Sequence, residues 1–202
     1  MDRCELIREK AARRDTELTS WRFGTLLRRS IFPIDVSRQL SIFISYRRDD
    51  TRDLAGRIGD FLERSELRPR VFRDLGSIEP GSNWRSEIER GIKEAHLVLP
   101  IFGPNWIGRS QTGRRRIDDQ DDIVRLEIEY ALNMQKEIVP IVVQGTPFPP
   151  PSLPDSLRAL FAIQTFLLDP ESGFDQSMRI LLSRLQRFRP RYMNLAARDA
   201  AS

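Results

Sequence analysis

Four stretches of the chain carry residue types that can bind or transform a ligand. Tyr46-Arg47-Arg48-Asp49-Asp50 sets two planar guanidinium forks side by side, a pair that can meet an anionic group such as a pyrophosphate. The same arginines can equally pair with Asp49, Asp50 or a neighbouring helix. Phe72-Arg73-Asp74-Leu75-Gly76-Ser77-Ile78-Glu79-Pro80-Gly81 has the glycines and proline of a loop that projects and bends, or of a plain surface turn. Asp121 and Asp122 precede an apolar helical face, where acids suit the positive end of the helix dipole. On that helix Glu127 follows Ile123 by four residues and lies beside the apolar stripe, while Glu129 points about 200° away. A helical glutamate is ordinarily solvated; Glu127 can also pair with the neighbours of Arg125 or with a basic loop.

The rest of the inventory mostly excludes. One cysteine, Cys4, permits no internal disulfide framework and no Cys-based zinc site. One histidine, His96, argues against a Ser-His triad and against His-rich metal centres. His96 opens an apolar run and reads as a buried, hydrogen-bonded side chain. There is no GxGxxG and no GxxxxGK[ST], so the dinucleotide-binding and Walker phosphate cradles are absent. The net charge is +4, from 33 basic and 29 acidic residues. Residues 41–150 hold 17 basic and 18 acidic residues, a balance that gives no electrostatic footprint for nucleic acid. No apolar stretch approaches the ~18 residues of a membrane span. Without an apolar leader in its first 20 residues, the chain is expected in the cytoplasm.

These residues need a scaffold, and the apolar pattern supplies one. At 202 residues, 40% hydrophobic and 31% charged, the chain fits one ordinary domain with short flanks. Apolar runs at 41–46, 70–72, 97–102, 138–143 and 162–168 predict strands. Faces at i, i+4, i+7 spacing predict helices built on Leu54–Leu62, Trp84–Ala95, Val124–Leu132 and Met178–Leu185, with a short one at Leu153–Leu160. Ser82 or Asn83 is the expected N-cap of the second helix. Strand and helix alternating five times predict an α/β fold, a five-stranded parallel sheet with helices on both faces. Ligands of such folds bind beyond the carboxyl ends of the strands. The expected organisation is a basic, helical extension over 1–40, the domain over 41–188, and a polar tail over 189–202. The arginine triplet and aspartate cluster of the charged loop Arg109–Asp122 can pair with one another, but the expectation is that they are solvated.

Taken together, the boxes resemble a known family. Phe43-Ile44-Ser45-Tyr46-Arg47-Arg48 looks like the first box of Toll/interleukin-1 receptor (TIR) domains, in the form many bacterial members use. Val71-Phe72-Arg73-Asp74 through Ile78-Glu79-Pro80-Gly81 resembles the second strand and BB loop. Ile101 to Trp106 resembles the end of the third strand, Val124-Arg125-Leu126-Glu127-Ile128 the helix bearing the family's catalytic glutamate, and Ile138-Val139-Pro140-Ile141 the fourth strand. Order and spacing agree over residues 40–187, and the family's architecture is flavodoxin-like.

The resemblance implies one of two functions. Some TIR domains are scaffolds that bind other TIR proteins through the BB loop. Others cleave NAD+ at the nicotinamide–ribose bond, giving nicotinamide and ADP-ribose or a cyclic isomer, and bacterial members of this class serve in defence. For the enzymatic class Glu127 is the catalytic residue. Tyr46, Arg47 and Arg48 line the site, Phe72 forms an aromatic wall, and the loop 74–81, with Asp74, gates the pocket and mediates self-association. Many active members carry Trp where this chain has Ile123. Breaking the N-glycosidic bond develops oxocarbenium character, which one carboxylate can stabilise. The resemblance therefore implies no metal and no cofactor, with NAD+ as substrate. The basic-aromatic run Trp21–Phe32 is expected to pack rather than bind a membrane surface. A remoter reading is another flavodoxin-like nucleotide enzyme, such as a nucleoside transferase.

Overall fold

A computed structural model describes residues 39–73, 83–150, 152–171 and 173–188. The expectations for the extension 1–38, for Cys4, for the loop 74–81 with Asp74, and for the tail 189–202 lie outside the described residues.

The strands form where the apolar runs predict them. β1 is Ser41–Ser45 and leads into α1, Arg48–Arg64; β2 is Arg70–Arg73 and α2 is Trp84–Glu94. β3 is Leu97–Phe102, and a long loop with a 3-10 turn at Arg116–Asp118 connects it to α3, Ile123–Asn133. β4 (Glu137–Ile138) and β5 (Ile141–Val143) follow, then a 3-10 segment at Asp155–Ala162, β6 (Phe166–Leu168) and α4 (Phe174–Leu185). All pairings are parallel, in the order β2-β1-β3-β5-β6, with β4 also on β3. Since β4 and β5 occupy one position, the order is the 2-1-3-4-5 of a flavodoxin-like sheet.

Three expectations need correction. The single strand expected over 138–143 is broken. Leu97 pairs with Glu137 and Ile101 with Ile141, so the constant register sets Pro100 opposite Pro140. Neither has an N–H to give, and the ladder lapses there. The segment expected as a helix at Leu153–Leu160 is 3-10 in geometry. It runs on to Ala162, which delays the last strand from Ala162 to Phe166. That strand is also not buried on both faces: β6 is an edge, and Leu167 is 62% exposed.

The sheet separates two apolar layers. On one face α1 and α4 pack Leu54, Ile58, Leu62, Met178 and Leu181 against Ile42 and Ile44 of β1. On the other, α2 and α3 pack Ile88, Ile92, Val124 and Ile128 against Phe43 and Val98. Side chains alternate across a strand, so the α3 side of β1 receives Phe43, then Ser45, and then Arg47 where the extended backbone continues past the strand (φ −88°, ψ 121°).

Candidate active site

That alternation places two polar side chains of the β1 exit against α3. α3 starts because Asp122 caps it, its Oδ1 accepting the Arg125 N–H at 3.1 Å. Val124, Ile128 and Ala131 bury one stripe. Glu127 lies beside that stripe and is only 9% exposed. The Ser45 hydroxyl, itself wholly buried, donates to Glu127 Oε2 at 2.6 Å. Arg125 pairs with Glu129, Nε to Oε1 at 2.7 Å. Glu129 is thus the partnered surface acid, and Glu127 the inward one.

Glu127 forms part of the wall of a cavity of about 620 Å³ at the carboxyl edge of the sheet. Tyr46 and Arg47 line it from the exit of β1, Arg48, Asp49 and Arg52 from α1, and Ile123 and Val124 from α3. Trp84 and Ile88 of α2 close the far side. The expected site residues thus converge, with two exceptions. Phe72 is not among the lining residues; it packs against the core under α2 and carries the Arg70 guanidinium 4.5 Å over its ring. Asp74 is outside the described residues. The aromatic side chains of this cavity are Tyr46 and Trp84, the latter half-buried and first in its helix, where the Asn83 side chain accepts the Arg85 N–H at 3.1 Å.

The two adjacent arginines differ. Arg48 is exposed at the mouth. Arg47 is 1% exposed, and its fork grips Asp122 through Nη1–Oδ2 and Nη2–Oδ1, each 3.0 Å. Its Nε donates to the Trp106 carbonyl at 2.6 Å. The alternative that the sequence left open, pairing with a neighbouring helix, is what the structure contains for Arg47. Asp50, another possible partner, accepts the Asn105 N–H at 2.9 Å. Burial pushes its carboxyl above the usual range, against the lowering effect of that hydrogen bond.

The loop 109–122 departs from the solvated expectation. Arg109 and Arg115 form an antiparallel bridge, and Ile117 is fully buried. Arg116 reaches the cavity and pairs with Asp49 at 3.3 Å and Asp122 at 3.5 Å. The cavity therefore has a buried carboxyl on one wall and Arg48, Arg52 and Arg116 around it, with Asp49 opposing them. Ser45, Trp84 and Arg116 also belong to this site and stand outside the expected set. Only the strand parity of Ser45 could have flagged one of them.

His96 is bonded as expected but only half-buried, because it stands just before β3 rather than inside it, and it is not among the residues lining the cavity. Its Nδ1 accepts the Ser41 N–H at 3.0 Å and lies 2.7 Å from the Ser41 hydroxyl. Burial, aided by Lys136, lowers its pKa. No group of His, Cys, Asp and Glu arranged to hold a metal occurs among the described residues. Among those residues, no helix is long and apolar enough to cross a membrane.

The model of the TIR domain family matches residues 42–181. A relative named NAD(+) hydrolase tir-1, from Caenorhabditis elegans, is 29% identical over 127 residues, which is 62% of this chain. The chain spans only 12% of that protein's length. Among solved structures, the TIR domain of the Toll-related receptor TRR-2 of Hydra magnipapillata aligns with a TM-score of 0.47 and 14% identity. That alignment covers 74% of this chain and 97% of the receptor domain. The TIR domains of the activated Roq1 resistosome align with a TM-score of 0.41 and 16% identity, over 78% of this chain and 84% of theirs. On the family match, which takes in every strand and the helix bearing Glu127, the chain belongs to the TIR domain family.

Proposed function

We propose that this domain cleaves the nicotinamide–ribose bond of NAD+, with Glu127 as the catalytic carboxylate. One observation carries the reading: Glu127 is buried, held by Ser45, and forms a wall of a cavity large enough for part of a dinucleotide. The charge layout fits the substrate. A pyridinium ribose beside Glu127 and a diphosphate near Arg48, Arg52 and Arg116 each meet the opposite sign. The name of the nematode relative points the same way.

In the reaction the C1′–N1 bond breaks and its electron pair goes to the pyridinium nitrogen, so nicotinamide leaves neutral. Little general-acid help is then required, unlike an O-glycoside with its two carboxyl groups. The ribose is left with oxocarbenium character that a fixed carboxylate stabilises. Water adds at C1′ and loses a proton, giving ADP-ribose; attack by a ring nitrogen of the adenine gives a cyclic isomer. The proposal needs no metal and no cofactor. Self-association through 74–81, as the resemblance implies, is part of the same proposal. The cytoplasm, where NAD+ is at hand, and a role in bacterial defence belong to the same proposal.

Incubating the purified chain with NAD+, alone and under crowding, and assaying nicotinamide is the test. Release by the native chain and at least ~100-fold less by Glu127→Gln is expected, that being the usual scale of a lost electrostatic contact. Equal release from both would overturn the role of Glu127. A second reading, a non-enzymatic TIR–TIR module, draws on Ile123, which is 47% exposed at the cavity mouth where many active members carry Trp. Absent turnover, together with partner binding lost on Pro80 or Gly81 substitution and kept in Glu127→Gln, would favour it.

A further inference from the structure

Arg47 sits in a site built around its guanidinium. Besides the two bonds to Asp122 and the one to Trp106, Nη2 donates to the Ile107 carbonyl at 3.5 Å. Gly108, at φ +65°, lets the loop backbone close over this group, since a Cβ there would lie 2.8 Å from Arg47 Cζ. A fork so occupied is aimed at protein, and Arg48 and Arg52 from α1 and Arg116 from the loop are the other arginines lining the cavity. Its anchor is the residue that starts α3: Oδ1 of Asp122 takes both Nη2 of Arg47 and the capping N–H of Arg125.

We propose that Arg47 is a positioning residue: its buried fork on Asp122 ties the exit of β1 to the first turn of α3 and so sets where the Glu127 carboxylate stands. The proposal rests on the reading of Glu127 as catalytic. Ser45 and Arg47 leave the same face of β1 two residues apart, and they hold α3 at Glu127 and Asp122, five residues apart. Five helical residues span about 7.5 Å of axis and ~1.4 turns. Two tethers at that separation fix the helix start in both slide and rotation, which one tether cannot do. Burying an ion pair brings little net stability by itself, so fixed geometry is the better account of why the pair is there. Lysine cannot substitute, because a point charge cannot grip both carboxylate oxygens and the loop carbonyls at once.

Three variants separate the roles of this pair. Asp122→Asn keeps a good cap and loses the ionic grip. Arg47→Lys keeps the charge and loses the fork. The double variant Arg47→Met with Asp122→Asn removes the unpaired charge and keeps the test open where a single variant unfolds. Asp121→Asn, at the adjacent acid whose own carboxylate is exposed and pairs with Arg85 at the surface, is the control. Amide hydrogen exchange over 123–128 is measured beside kcat and KM for NAD+, each variant well below its own melting temperature. The expected result is faster exchange confined to the start of α3, and kcat lowered roughly 10- to 100-fold with KM little changed, the scale of a misplaced catalytic group. The control behaves as the native chain. Native exchange in every pair variant overturns the proposal, and so does faster exchange with an unchanged kcat. If the native chain releases no nicotinamide, the catalytic reading of Glu127 falls, and exchange alone decides whether the pair sets the helix start.

Discussion

Ser45 Oγ lies 2.6 Å from Glu127 Oε2, a bond between residues 82 positions apart. It joins the exit of β1 to the second turn of α3, across the boundary between core and cavity. Phe43, two residues earlier on the same face, is core; Arg47, two residues later, is the anchor of the helix cap. One strand thus hands over from packing to site within a few residues.

Ser45→Ala removes the hydroxyl without adding bulk. Hydrogen bonds to charged groups contribute about 1.5–3 kcal/mol, and urea unfolding is expected to show a loss at the lower end of that range. In the assay for nicotinamide kcat is expected to fall about tenfold, one hydrogen bond's worth of orientation, with KM nearly constant. An unchanged kcat would mean that Glu127 needs no help from β1.

Arg52 and Arg116 face the cavity from two separate elements, and Arg116 holds only exposed or long pairings with Asp49 and Asp122. Each is available to a diphosphate. Arg52→Ala and Arg116→Ala are expected to raise KM for NAD+ roughly tenfold, from a lost charge-assisted contact, and to leave kcat within about twofold of the native value. The KM difference should shrink at high salt, because partly exposed charges are screened. A fall in kcat with KM constant would place these arginines in the chemistry instead.

The glycines of the loop provide a matched pair. Gly108 and Gly113 both have positive φ, +65° and +78°. A Cβ on Gly108 would collide with the Arg47 guanidinium, whereas Gly113 has nothing within 4 Å. Gly113→Ala therefore costs only the backbone strain, about 1 kcal/mol. Gly108→Ala adds displacement of a buried, bonded side chain, and is expected to cost at least ~2 kcal/mol. Thermal melts of the two variants give the difference directly. Equal losses would show that Arg47 yields easily and that its seat is soft.

The order of elements was legible because each strand is an apolar run and each helix an apolar stripe; Ile42–Ile44 and Leu54–Leu62 show both signals clearly. The break between β4 and β5 was not, since Pro140 matters only once the register brings it opposite Pro100. Glu127 was marked by the family resemblance, while its burial depends on Ser45, and a serine in an apolar strand carries no sign of its partner. Arg47 and Arg48 look alike in the sequence. Parity across the sheet sends the first inward to Asp122, a contact 75 residues away that no local pattern encodes. Trp84 looks in the sequence like one more apolar position, because the first residue of a helix differs from the rest only by facing the sheet edge.

The single histidine makes stability near neutral pH readable. His96 accepts a backbone N–H from Ser41 at Nδ1, which only a neutral ring can do at that nitrogen. Burial, with a smaller effect of Lys136, sets its pKa below the ordinary 6.5. The sign follows from proton binding. Below the unfolded value the unfolded chain takes up a proton that the folded chain resists, so folding is favoured less as pH falls; above it both states are neutral and the contribution is flat. Melting temperatures of the native chain are expected to decline on acidification from about pH 7.5 to about pH 5.5, ahead of the carboxylates. In His96→Asn that decline should be reduced, because no other side chain has an ordinary pKa in this window. An equal slope in the two proteins would assign the acid sensitivity to a carboxylate with a raised pKa. Asp50 is one described carboxylate with that property.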